Sequence, residues 1–153
     1  MRNETKKNIR ILGVFLFIIY LCVLTYFLFF AEKYGRTLTD REYRYNLVPF
    51  LEIKRFWNNR EVVGEMAVLT NLAGNVLAFI PFGAILPVIS QRCRGFFRIM
   101  LFSFEFSLMV ECIQLISKVG SFDVDDLMLN TLGGFLGCIL FEVCNRIRRS
   151  IYG

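Results

Sequence analysis

The chain has 153 residues, of which 56% are hydrophobic and 17 are Phe, and its mean hydropathy is +0.52. A soluble domain of this length cannot bury that much apolar surface, so the chain reads as an all-α, polytopic membrane helix bundle in a single domain. The net charge of +5 sits in basic ends and one basic turn, without the exposed aromatic interleaving of a nucleic-acid surface, so the expected partner is the lipid bilayer and no nucleic acid.

Four runs are long enough to cross a hydrocarbon core, which takes ~20 apolar residues per helix: residues 11–31, 66–89, 96–117 and 127–144. The first follows Arg2, Lys6, Lys7 and Arg10 as a signal peptide would, but it is too long for an h-region and has no small-residue cleavage site. It reads as a retained anchor. The second carries Pro81 and Pro87 and the fourth is short and rich in glycine, so a kink or a re-entrant stretch is open for both.

Short cytoplasmic segments are enriched in Lys and Arg. The N-terminal tail, the turn with Arg92, Arg94 and Arg98, and the tail with Arg146, Arg148 and Arg149 are therefore expected inside. Both termini are then cytoplasmic, and the loop with Lys118 and three Asp lies outside. No His is present and the five Cys form no CxxC spacing, which leaves no basis for a zinc site or a His-based mechanism.

On this topology the polar residues of three helices fall at one depth. Counting 1.5 Å per residue, Asn71 lies ~8 Å and Asn75 ~14 Å below the outer edge, Gln114 ~5 Å and Glu111 ~9 Å, and Asn130 ~5 Å down from a helix start at about Leu127, with Asp126 at its mouth. Each set shares a helix face, because the spacings are i, i+3 or i, i+4. A shared pocket opening to the outer leaflet satisfies all of them. Ionisable groups at the edge of lipid cost several kcal/mol unless they face water or a partner, which favours a functional role for Glu111 with Gln114.

Asp126, Asn130, Gly133 and Gly137 fall within about 40° of one another on the fourth helix, polar at the top and bare below. The glycines read as a close-packing face. The second helix offers Asn71, Gly74, Asn75 and Ala78 as the matching line, and the two helices are expected to touch there. Of Asp123, Asp125 and Asp126, one reads as an ordinary helix cap, and Asp125, turned away from the line, as solvent-facing charge. Glu105 is away from the pocket and is either neutral or paired with Arg98.

In the first loop, Leu47, Phe50, Ile53, Phe56 and Trp57 recur near helical spacing after Pro49. They suit a short interfacial helix, either a lid over the pocket or a simple cover on the bundle. Arg36, Arg41 and Arg44 precede it as candidates for an anionic head group or for the acidic cluster, against ordinary solvated charge.

Four blocks in order, Asn46-Leu-Val-Pro-Phe50, Asn71-Leu-Ala-Gly-Asn-Val-Leu-Ala-Phe-Ile-Pro-Phe-Gly83, Glu111-Cys-Ile-Gln114 and Asp123-Val-Asp-Asp-Leu-Met-Leu-Asn-Thr-Leu-Gly-Gly134, resemble the VanZ-like family of bacterial membrane proteins. The resemblance covers most of the chain. Where the family pattern often has Arg before the acidic block, this chain has Lys118, which keeps the charge and loses bidentate geometry. The resemblance implies a cell-envelope protein of Gram-positive type, from a family whose founding member is associated with low-level resistance to teicoplanin and related lipoglycopeptides.

Two functions follow as expectations. One is a non-enzymatic protein that alters access of a lipid-anchored antibiotic, or its lipid-linked target, to the outer leaflet. The other is an enzyme acting on a lipid head group, with Glu111 or Asp126 as general base and Arg44 or Lys118 holding phosphate. The binding set is Arg44, Asn71, Asn75, Glu111, Gln114, Lys118, Asp123, Asp126 and Asn130. No cofactor is evident, although Asp123, Asp126 and Glu111 could gather Mg²⁺ or Ca²⁺ through oxygen ligands. Four helices are too few for a solute transporter unless the chain forms a homodimer.

Overall fold

An apolar run in lipid must satisfy its backbone hydrogen bonds internally, and the four long runs do so as helices. The computed structural model describes residues 3–30 and 43–152; Ala31, Arg36 and Arg41 lie outside them. In chain order the elements are α1 Asn3–Phe30, β1 Tyr45–Asn46, α2 Leu51–Asn58, α3 Arg60–Val63, α4 Glu65–Ile89, a 3₁₀ turn Gln91–Cys93, α5 Phe96–Ser117, β2 Phe122–Asp123 and α6 Val124–Tyr152. Among the described residues four stretches are long and apolar enough to cross a membrane: Lys7–Phe29, Asn71–Ile89, Phe96–Ser117 and Val124–Ile151.

Both uncertain spans are continuous helices. α4 runs through Pro81 and Pro87 without ending. α6 starts three residues before the expected Leu127, because Asp123 caps it: the Asp125 N–H donates to Asp123 Oδ1 at 2.8 Å. It also continues past the expected end at Cys144, carrying Arg146, Arg148 and Arg149 on its last turns. Glu105 is exposed and does not meet Arg98, whose Nη1 donates instead to the Arg92 carbonyl at 2.6 Å.

α6 is the central helix, packed along both α4 and α5, while α1 packs on α4. Small residues set these approaches. A Cβ on Gly133 would strike the Val76 carbonyl oxygen, one on Gly137 that of Ile80, and one on Gly83 the carbonyl oxygen of Gly134. On the neighbouring face Gly134 meets the hydroxyl of Ser103, which with Ser107 is fully buried on α5. The sequence reading placed Gly133 and Gly137 against Asn71, Gly74, Asn75 and Ala78. The two helices do touch at Asn75, which bonds to Asp126, but the glycines lie against Val76, Phe79, Ile80, Gly83 and Ala84, since Gly83 is where the α4 backbone is bare enough to touch α6. Gly74 has open space around it.

Beside that seam, Leu24, Phe79 and Phe82 form the buried core, flanked by Phe17, Tyr20, Leu28, Ala78, Leu86 and Phe106. Phe82 stacks on Phe106 with ring centroids 5.1 Å apart, and Phe17 packs on Phe82 at 5.6 Å, which ties α1 to α4 and α5.

The glycine contacts generate a graded expectation. Gly133→Ala and Gly83→Ala should each lower stability by about 1–3 kcal/mol, because a methyl against a backbone carbonyl forces the helices apart. Gly74→Ala should leave stability unchanged. Thermal unfolding of the detergent-solubilised protein, followed by helical circular dichroism, distinguishes the three.

Candidate functional site

The alternation of α1, α4, α5 and α6 brings the C-terminal half of α1, the N-terminal half of α4, the end of α5 and the start of α6 to one end of the bundle, away from the termini. A cavity of about 820 Å³ opens there between the helices. Asn71 and Asn75 from α4, Glu111 and Gln114 from α5, and Asp126 and Asn130 from α6 all line it.

The polar groups are tied to one another. Asn75 Nδ2 donates to Asp126 Oδ1 at 2.5 Å, joining α4 to α6 across the cavity. Asn130 is 2% exposed and its Nδ2 donates to Ser107 Oγ at 2.8 Å, while its Oδ1 has no hydrogen-bond partner among the described residues. Glu111 is 3% exposed, and its Oε2 accepts the Asp123 N–H at 3.1 Å. Gln114 Nε2 donates to the Leu28 carbonyl at 3.0 Å, so the end of α5 is fastened to α1.

The sequence reading missed one wall. Tyr20, Val23, Leu24, Phe27 and Leu28 of α1 line the cavity, and the Tyr20 hydroxyl donates to the Ala78 carbonyl at 2.8 Å. These positions follow the helical repeat, yet the spanning part of α1 is apolar on nearly every side, so little contrast in polarity marks the inward stripe. The cavity is thus apolar on the α1 side and polar on α5 and α6, and among the described lining residues it holds two carboxylates and no Lys or Arg.

The three clustered aspartates have three separate jobs. Asp123 caps its own helix and accepts from Asn46 Nδ2 at 3.1 Å. Burial holds its carboxyl above the usual range, against the lowering effect of the bonds from the Asp125 N–H and Asn46. Asp126 faces the cavity. Asp125, read from the sequence as solvent-facing charge, is 1% exposed: its carboxylate accepts the backbone N–H groups of Phe50, Glu52 and Ile53 at 2.5, 2.9 and 3.1 Å. It caps α2 from a distant part of the chain, where three orphan donors and the helix dipole satisfy a buried charge.

That cap, with the parallel pairing of Tyr45 with Phe122 and Asn46 with Asp123, fixes α2 on the start of α6. α2 is the short helix expected after Pro49, but none of its residues lines the cavity, so it covers the end of the bundle rather than closing the pocket. Arg44 and Lys118 do not reach the cavity either: Arg44 is exposed, and Lys118, in the left-handed region at φ 54°, places its Nζ 4.4 Å from the centre of the Tyr43 ring. Among the described residues no three of His, Cys, Asp and Glu gather to hold a metal.

Asp125→Ala should cost about 0.5–2 kcal/mol, the range of a lost N-cap, and its effect should be local. Trypsin should then cut faster after Lys54 and Arg55 in α2, while cleavage in the rest of the chain is unchanged.

The VanZ/LLP1 family model matches residues 17–145, a stretch that includes every cavity-lining position. Protein VanZ of Enterococcus faecium is 32% identical over 139 residues, which cover 90% of this chain and 78% of the relative. No solved structure matches the chain. An ordered match across the spans and through the loop that docks on α6 places this chain in the VanZ/LLP1 family of membrane proteins.

Proposed function

We propose that this VanZ-type membrane protein acts in low-level resistance to teicoplanin and related lipoglycopeptides, through the cavity at the α5–α6 loop end of the bundle. The termini are taken to be cytoplasmic, so that this cavity opens to the outer leaflet; the support is the excess of Lys and Arg at the other end. The observation that carries the reading is the two-sided lining. An apolar wall from α1 suits an acyl chain, and beside it Glu111, Asp126 and the unpartnered Asn130 Oδ1 offer acceptors to hydroxyl, amide or ammonium groups.

The other reading, an enzyme acting on a lipid head group, would take Glu111 or Asp126 as base. Arg44 and Lys118, its candidates for holding phosphate, do not line the cavity, which favours ligand binding. Head-group analysis of lipids from cells with and without the protein separates the two.

Orientation is tested first. A tag in the loop at residues 118–121 should be labelled by an impermeant reagent on intact cells, and a reporter after Gly153 should behave as cytoplasmic; the reverse pattern would remove the outer-leaflet site.

Expression in a susceptible Gram-positive host should raise tolerance to teicoplanin, which carries an acyl chain, more than to vancomycin, which does not. Glu111→Gln and Asp126→Asn keep size and remove charge at the cavity, and each should abolish the difference at normal abundance in the membrane. Equal protection against both drugs, or full protection by both variants, would exclude this mechanism.

A further inference from the structure

At the opposite end of the bundle a second cavity, of about 1090 Å³, lies between the start of α1, the α4–α5 turn and the end of α6. Among its described lining residues six are cationic and none is acidic: Lys7 and Arg10, Arg92 and Arg94, Arg148 and Arg149. Ile9, Val88, Ile89 and Phe141 supply apolar walls.

A basic rim is ordinary at a membrane surface, where each side chain can extend separately into water or toward anionic lipid. Here two of the cations are held in place. Arg94 donates from Nε to the Pro87 carbonyl at 3.2 Å, and its guanidinium carbon lies 5.6 Å from the centre of the Phe141 ring. Those contacts keep it against the bundle. Arg148 Nη2 donates at 2.8 Å to Oδ1 of Asn145, which is itself 7% exposed. The Arg92 carbonyl accepts from Arg98, which orders the turn between them.

Cations from three separated segments therefore converge on one concave space, whose described lining residues include no Asp or Glu to set against their mutual repulsion. A polyvalent anion between them would. We infer that this cavity binds a phosphate-bearing anion, with Arg94 and Arg148 as positioned donors, Lys7, Arg10, Arg92 and Arg149 completing the charge, and the apolar walls receiving the adjoining carbon chain. The source of the phosphate is either the head group of an anionic lipid or a soluble organic phosphate. The inference is independent of the cavity at the other end and of membrane orientation.

Binding to the full chain in dodecyl maltoside tests it, with dioctanoyl phosphatidylglycerol, zwitterionic dioctanoyl phosphatidylcholine and inorganic pyrophosphate as probes, read by isothermal calorimetry. Phosphatidylglycerol should bind and phosphatidylcholine should not. Arg94→Gln and Arg10→Gln, on different elements, should each weaken binding about tenfold, the loss expected for one charge-assisted hydrogen bond. Arg146→Gln, equally basic but outside the cavity lining, should not.

Phosphatidylglycerol binding without pyrophosphate binding assigns the site to a lipid. Pyrophosphate binding at least as tight assigns it to a soluble phosphate. Ligand-free unfolding temperature serves as the folding control, and Arg10→Gln keeps the test valid if Arg94→Gln lowers it. Binding of neither anion, equal binding of the two lipids, or equal weakening by Arg146→Gln would overturn the inference.

Discussion

Lipid gives no hydrophobic drive for one apolar helix to prefer another, so the bundle depends on how closely backbones can approach. The contact of Gly83 with Gly134, flanked by Gly133 on the Val76 carbonyl and Gly137 on the Ile80 carbonyl, is that approach. Dispersion falls away steeply with separation, so a methyl at this seam would weaken attraction along the whole length of two helices. The bond that joins α4 to α6 across the cavity relies on the same seam. Asn75 reaches Asp126 only because α4 and α6 lie backbone to backbone one turn below.

The cavity is accordingly two-sided, with an apolar wall from α1 and polar groups from α4, α5 and α6. Its carboxylates are not loose charges at the lipid edge. Glu111 is seated by a backbone N–H from the loop after α5, and Asp126 by an amide from α4. Such groups stay in a fixed geometry without a ligand, which reduces the ordering that binding has to overcome.

Much of this was legible in the sequence, for definable reasons. Period and rise along a helix fix which residues share a face and a depth, so the meeting of Asn71, Asn75, Glu111, Gln114, Asp126 and Asn130 could be read from spacing alone. Gly133 and Gly137 were read as a packing face, but the partner surface on α4 was misplaced, because Gly74 and Gly83 look alike in sequence and only one of them meets another backbone. The role of Asp125 was invisible for a different reason. Its acceptors serve the backbone of residues 50–53, more than seventy positions earlier, and a helix cap supplied from another part of the chain has no local pattern. The α1 wall was hidden because uniform hydrophobicity erases the contrast that marks an inward face.

The long reach of that cap has a consequence for biosynthesis. The segment from Tyr45 to Asn58 takes its strand partner from Phe122 and Asp123 and its helix cap from Asp125, all of them on the far side of two further spans. A membrane protein is inserted from its N-terminus onward, so this segment leaves the ribosome with neither partner in existence. Until α6 enters the bilayer, the N–H groups of Phe50, Glu52 and Ile53 lack the carboxylate that caps them, and Asn75 lacks Asp126 as its acceptor. The loop and the cavity therefore mature in one step, at the end of insertion, and a chain arrested before its fourth span would carry its first three in the membrane with no site between them.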